Sequence, residues 1–401
     1  MSSSRALLTN LDINRNSSLI PFELQVRTRM VYGNDAIDQL GDLATGLGAK
    51  RVMVVTDRGL VEAGHASHGI AALESAGLMV GLYDGARENP TTDDVDRGVM
   101  YAKEFQPDLL VGLGGGSSMD CAKGVNFIYS CGGKMKDYHG VDKATKPMLP
   151  MIAVPTTSGT GSEMQSFALI SDAETHVKMA CGDKKASFAI AVLDPKLTLT
   201  QPPQVTALTG VDALSHALET YVTRPRNPVS LLFSREAWKF LSANFLKVLA
   251  DPNDLEARGG MLLGAAWSGL AIENSMLGAA HALANPLTAT HQIVHGQAVG
   301  AMLPHIIRYN GQQFDDWYCE LSAISAGHPE APAADSGSAG IADFVQRMVQ
   351  AAGLEINLQG LGVPREQIPE LAEAASRQWT GQFNPRPVNS EELAAIYENA
   401  F

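Results

Sequence analysis

The sequence predicts an α/β domain followed by an all-α domain, and three observations carry that prediction. Strand-like and helix-like segments alternate through the first half, the alternation stops at TLTQPPQV (198–205), and nearly everything beyond has helical periodicity. The boundary falls at about Pro203, with domains of 1–203 and 204–401.

The first strand is RVMVVTD (51–57), an apolar, β-branched run. A helical stretch to Ala76 separates it from a second strand, LMVGLYD (78–84). Another helix near 93–105 leads into DLLVGLGGG (108–116), and a further helix begins at Ser117. This βαβαβ rhythm implies a parallel sheet, because parallel neighbours need a crossover. PMLPMIAVPTT (147–157) adds a strand, and a few short strands follow. The second half reads as helices at 204–221, 228–249, 255–283 and 341–352.

With 401 residues the chain has ample apolar sequence for sizeable cores. A net charge of −13 argues against nucleic acid or an anionic membrane as a partner. The four cysteines form no CxxC pair, which speaks against a disulfide framework or zinc knot and for a reducing cytoplasm. The first twenty residues lack the apolar core of a signal peptide and suggest a loose tip, and no apolar run is long enough to span a membrane.

VGLGGGSSMDCAK follows a strand and opens a helix, so the N–H groups of Gly115, Gly116 and Ser117 would face an anion, most simply a pyrophosphate. It departs from the usual dinucleotide fingerprint: Ser117 takes the third glycine position, and the loop follows the third strand of the rhythm. A tight turn without ligand satisfies the same sequence. A second loop, PTTSGTGSE (155–163), offers Thr156, Thr157 and Thr160 as donors to phosphate or ribose. Two such loops at the C-terminal ends of parallel strands coincide with the edge where open α/β sheets bind ligands. Asp57 ends the first strand, where it either caps a helix or holds an adenosine ribose. In the latter role it would repel a 2′-phosphate and favour NAD over NADP.

GVDALSHALE (210–219) places Asp212 and His216 at i and i+4, on one helix face. HALANPLTATHQIVHG (281–296) adds His281, His291 and His295. On one continuous helix His281 and His295 would lie roughly 20 Å apart. Pro286 is expected to end the helix after about Asn285, letting the chain turn back so that the two converge. One carboxylate with imidazoles and no thiolate suits Fe(II), Zn(II) or Mn(II) acting as a Lewis acid on an alcohol or aldehyde oxygen beside a nicotinamide.

With VVTD (54–57), ENPT (88–91), GGGSSMDCAK (114–123), PTTSGTGSE, GVDALSHALE, VHG (294–296) and NPRPVN (384–389) in view, the chain resembles the iron-containing, group III alcohol dehydrogenases of dehydroquinate-synthase-like fold over nearly its whole length. The resemblance implies a Rossmann-like N-terminal domain, a helical C-terminal domain and an active site in the cleft between them. It implies Asp212, His216, His281 and His295 as metal ligands. It further implies cofactor contacts from Asp57, Asn89, Gly115, Gly116, Ser117, Asp120, Thr156, Thr157, Thr160 and Lys178, and a homodimer or higher homo-oligomer paired near 22–32. Many members carry a histidine where this chain has Asn285; His291 is the candidate substitute in proton movement. Phe167, Ile272 and Trp379 are expected to line an apolar substrate pocket.

These readings point to hydride transfer between NAD(H) and a small or medium primary alcohol or aldehyde. Maleylacetate reductase or hydroxyacid–oxoacid transhydrogenase activity stays open within the redox class. A dehydroquinate-synthase-type lyase is disfavoured by an aspartate with three histidines, and a purely binding role is suggested only by Asn285.

Overall fold

The computed structural model describes residues 20–175, 177–325 and 330–401; the tip predicted for the first twenty residues lies, but for Ile20, outside them. The first half contains β1 (Arg29–Tyr32), α1 (Leu40–Gly46), β2 (Arg51–Val55), α2 (Arg58–Glu62), α3 (His65–Ser75), β3 (Met79–Tyr83), α4 (Thr92–Phe105), β4 (Leu109–Gly114) and α5 (Gly116–Cys131). It continues with β5 (Gly140–Val141), β6 (Met151–Pro155), β7 (Phe167–Ser171), β8 (Lys178–Gly182) and β9 (Ile190–Leu193).

Six of these strands form a sheet in the order β1-β9-β6-β4-β2-β3, with every pairing parallel. β5, β8 and β7 make a smaller sheet beside it. Alternation across the pleat separates two cores: Met53, Val55 and Leu110 face one side with Met119 and Val125 of α5, while Val52, Val54 and Val111 face the other with Leu40 and Leu73. Apolar residues on both faces are what a parallel sheet covered by helices requires. From β2 the chain runs out to β3 and then crosses back to β4. The crevice between the C-terminal ends of β2 and β4 is therefore the switch point at which open α/β sheets bind ligands.

From Pro203 onward the structure is helical: α6 (Pro203–Val222), α7 (Pro228–Ala250), α8 (Leu255–Asn274), α9 (Ala279–His291), α10 (His295–Ser325), α11 (Gly337–Ala351), α12 (Ile368–Ser376) and α13 (Ser390–Asn399). Their core is centred on Trp238, Phe245, Tyr318 and Phe344. Leu262 and Ala266 of α8 join the core of the sheet domain, so the two halves share a packed seam. None of these helices is long and apolar enough to cross a membrane, among the described residues.

Two expectations are corrected. The helix expected at 255–283 is two helices, because Ser275 (φ −146°, ψ −122°) and Gly278 (φ −124°, ψ −145°) leave helical geometry. Pro286 does not end a helix either. It sits inside α9, which tolerates the missing N–H and continues to His291, and the break comes at Gln292, whose φ of 56° is left-handed. The long helix α10 and the C-terminal pair α12 and α13 were not anticipated by the periodicity reading.

Candidate active site between the sheet and the helices

The sheet side is built from two loops pressed together. Gly114, with φ 146°, turns the chain out of β4; a Cβ there would lie 2.6 Å from Ser118 Oγ, so only glycine fits. A Cβ on Gly116 would stand 2.6 Å from Thr160 Oγ1, and one on Gly115 3.4 Å from Thr157 Oγ1. The N-terminus of α5 and the Thr156–Thr160 loop thus form one cradle. Asp57 caps α2, with Oδ1 accepting from Leu60 N at 3.1 Å, while Oδ2 accepts from Ser118 Oγ at 3.3 Å. Its capping and crevice-facing roles coexist. Asn89 takes a left-handed φ of 52°, its N–H donates to Ser117 Oγ at 3.2 Å, and its Oδ1 accepts from Lys178 Nζ at 3.4 Å. These three side chains meet at the rim.

Asp120 turns inward. Its oxygens accept from Ser162 Oγ (2.6 Å) and Leu169 N (3.2 Å), and Lys123 Nζ lies 3.6 Å away. Lys123 is fully buried and donates to the carbonyls of Ser162 (2.8 Å) and Phe167 (2.7 Å), stitching α5 to the segment that follows the threonines. Burial lowers the Lys123 pKa and raises that of Asp120, each opposed by the other's charge.

Neighbouring Glu163 is 2 % exposed, and burial pushes its carboxyl up to about 7. A raised carboxyl costs nothing below the unfolded value of 4.5 and progressively destabilises the fold as pH climbs through 7. Glu163→Gln is therefore expected to stabilise the protein at pH 8 relative to wild type, by up to about 3 kcal/mol, and to be neutral near pH 4.5. Thermal melts of both proteins across this range check it.

On the helical side, Asp212, His216 and His281 offer ligand atoms that all lie within 4.8 Å of one another. Asp212 Oδ1 is 3.4 Å from His216 Nε2, 3.6 Å from His281 Nε2 and 3.7 Å from His295 Nε2. Such separations match donors around one ion bound at about 2.1 Å, which sit roughly 3.4 Å apart in a tetrahedral set. Asp212 Oδ1 and His281 Nε2 are buried without a hydrogen-bond partner, the condition a bound cation relieves. Burial alone would raise the Asp212 pKa, but the neighbouring imidazoles, His216 foremost, hold it well below the usual carboxylate range. Burial lowers His216 and takes His295 down to about 3, leaving both neutral and able to ligate at pH 7.

Glu219, one turn beyond His216 on α6, completes this side. Its Oε2 accepts from His281 Nδ1 at 2.5 Å, and its Oε1 from Ala280 N at 2.7 Å. Burial would lower His281, but Glu219 and Asp212 raise it to about 9. Sequence reasoning passed over Glu219, although its i+7 spacing from Asp212 put it on the same helix face.

His281 and His295 do converge, with ring centroids 5.3 Å apart, across the turn at Gln292–Val294. His291 is in α9 and not in a loop, about 15 Å along the axis from His281. Its Nε2 is buried and unpartnered. Asn285 donates to Gln378 Oε1 at 3.0 Å. Phe167 packs on Trp379 with centroids 6.0 Å apart, while Ile272 is buried on α8.

The two sides adjoin. A Cβ on Gly161 would stand 2.7 Å from Ala265 O of α8, and one on Gly159 2.7 Å from Thr209 Cβ of α6. A glycine- and threonine-lined cradle at a helix N-terminus thus abuts a buried carboxylate–imidazole cluster, an arrangement that could hold a phosphate-bearing cofactor beside a metal ion. Comparison with known proteins specifies it further. Residues 27–195 match the family model for iron-containing alcohol dehydrogenase, and residues 206–401 match that for the C-terminal part of the same family. The chain belongs to the iron-containing alcohol dehydrogenase family.

It is 32 % identical to 1,3-propanediol dehydrogenase of Klebsiella pneumoniae, over 95 % of this chain and 99 % of that one. It is 31 % identical to the NAD-dependent methanol dehydrogenase of Bacillus methanolicus, over 92 % and 97 %. Among solved structures, a 1,3-propanediol oxidoreductase superposes with a TM-score of 0.91 at 31 % identity, covering 95 % of this chain and all of that one. A sulfoacetaldehyde reductase from Bifidobacterium kashiwanohense in complex with NAD+ gives 0.86 at 26 % identity, covering 95 % and 99 %.

Proposed function

We propose that this alcohol dehydrogenase transfers hydride between NAD(H) and a small or medium primary alcohol or aldehyde, with Asp212, His216, His281 and His295 holding the metal. The observation that carries the reading is the buried, unpartnered Asp212 Oδ1 with three imidazoles around it, adjoining the phosphate cradle. A bound Fe(II), or Zn(II) or Mn(II) in its place, would supply Lewis-acid polarisation of the substrate oxygen. The N–H groups of Gly115, Gly116 and Ser117 bind the pyrophosphate at the start of α5, and Asp57 accepts from the adenosine ribose. Thr156, Thr157, Thr160, Asn89 and Lys178 fix the rest of the dinucleotide. Asp120, with both oxygens already engaged, acts by holding the threonine loop in place. Phe167, Ile272 and Trp379 form the apolar wall that excludes water from the transferring hydride. The division of labour falls at 203/204, in the first turn of α6.

The same reading takes the enzyme to be a homodimer paired through the N-terminal edge, supported by the edge position of β1 and the exposed Phe22, Leu24 and Val26 beside it. Cofactor preference is NAD, with NADP disfavoured by Asp57.

The test is a panel of primary alcohols with NAD and Fe(II), read as NADH absorbance, with aldehydes and NADH for the reverse direction. No turnover with any member at full metal loading rejects the proposal. His291→Ala addresses the proton route. In that role this variant is expected to lower kcat with metal content intact; an unchanged kcat across pH would remove His291 from the route.

A further inference from the structure

Glu219 lies in a chain of buried polar groups that begins at a metal-binding histidine and ends far from it in sequence. Its Oε2 accepts from His281 Nδ1, which fixes a proton on Nδ1 and turns Nε2, the atom that must be bare when a metal binds, towards Asp212 and the ion site. Its Oε1 accepts the N–H of Ala280 in the first turn of α9, where the helix dipole favours a carboxylate. The next N–H of that turn, from Ala279, is directed to Asn384 Oδ1 at 3.4 Å. Asn384 and Asn310 then hold each other by two amide hydrogen bonds of 2.7 and 3.1 Å, and Asn384 also donates to Arg386 O at 2.7 Å. Glu219, Asn384 and Asn310 are 3 %, 2 % and 0 % exposed. A carboxylate and two amides would not be kept this dry without a function that repays their desolvation.

Resting on the metal site proposed above, we infer that Glu219 is a positioning residue that fixes the tautomer and orientation of His281, and that the Asn384–Asn310 pair fixes Glu219 by pinning the start of α9. Metal affinity then depends on residues that touch neither metal nor substrate. The polarity of the contact makes this testable. In Glu219→Gln the amide oxygen can still accept from Ala280, but its NH2 then faces His281 Nδ1. The ring proton must move to Nε2, the atom that has to be bare for ligation.

The measurement is Co(II) titration of the metal-free full-length protein, with the absorption spectrum of the bound ion as readout and the melting temperature of the metal-free form recorded beside it. Glu219→Gln is expected to bind 10- to 100-fold more weakly, with a changed Co(II) spectrum. Glu219→Asp, which restores a carboxylate, is expected to recover part of the affinity, and Asn384→Ala to weaken binding in the same direction. A merely structural role would lower the melting temperature without altering affinity or spectrum in the folded fraction. Affinity within about threefold of wild type in Glu219→Gln overturns the inference; should that variant fail to fold, wild-type affinity and spectrum in both Glu219→Asp and Asn384→Ala do the same. A wild-type protein that binds no Co(II) overturns the metal site itself, an outcome distinct from the other two.

Discussion

Asp212→Ala is expected to lose its metal on dialysis and to lower kcat/KM by at least about 10³-fold, or about 4 kcal/mol of transition-state stabilisation. Asp212 contributes the only carboxylate of the four-residue set, and its Oδ1 is the atom from which all three imidazole nitrogens stand 3.4 to 3.7 Å away. Removing it leaves three imidazoles, two of them buried, with Glu219 as the remaining carboxylate beside them, so the dication loses both a ligand and its nearest counter-charge. His295→Ala should also lose activity, but by a different balance. His295 is the most exposed of the four, with 26 % of its side chain accessible, and its loss leaves Asp212, His216 and His281 as a compact set. Weaker binding that added metal can partly offset is the expected result. Metal analysis and turnover of both variants at several Fe(II) concentrations decide this, and full metal retention in both would remove these residues from the ligand set.

How much of this was legible in the sequence depends on the range of the physics involved. The parallel strands and the two hydroxyl- and glycine-rich loops are local patterns, and they stand where the sequence placed them. The i, i+4 pairing of Asp212 and His216 is likewise local, because one helix sets it. What brings His295 to His281 is not local. Pro286 is the strongest helix breaker in the segment by propensity, yet it is buried in α9, where packing outweighs one missing hydrogen bond; the break falls instead at Gln292, a residue with no turn preference to announce it. At Ser275–Gly278 the break had a local signal, since Asn274, Ser275 and Gly278 are poor helix formers, but the apolar periodicity on either side masked it. Glu219 was in the quoted motif, but its meaning needed a partner, His281, from a different helix. Lys123 and Asn384 also stand in quoted motifs and Asn310 does not, but none of the three announces its role locally, since a buried lysine or asparagine is recognisable only once the groups that satisfy it are known.

Asp57→Gly is expected to change the cofactor the enzyme accepts. Asp57 stands at the end of β2, at the point where the chain order of the sheet reverses, and Ser118 Oγ holds its Oδ2 at the mouth of the cradle. A 2′-phosphate on the adenosine ribose would meet this carboxylate at close range. Two unit charges about 4 Å apart repel by about 1 kcal/mol in water and about 4 kcal/mol near a protein surface, so Asp57 should discriminate against NADP by one to three orders of magnitude. In the glycine variant kcat/KM with NADP is expected to rise at least tenfold, while that with NAD falls several-fold through loss of the ribose hydrogen bonds. The same substitution removes the cap of α2, where Oδ1 accepts from Leu60 N, and should cost a few tenths of a kcal/mol of stability, because glycine is itself tolerated at an N-cap. Asp57→Asn separates the two effects, because asparagine caps a helix as well as aspartate but carries no charge. A gain with NADP in both variants assigns selectivity to the charge. An unchanged ratio of NAD to NADP efficiency in both would leave Asp57 as a helix cap that the adenosine never meets.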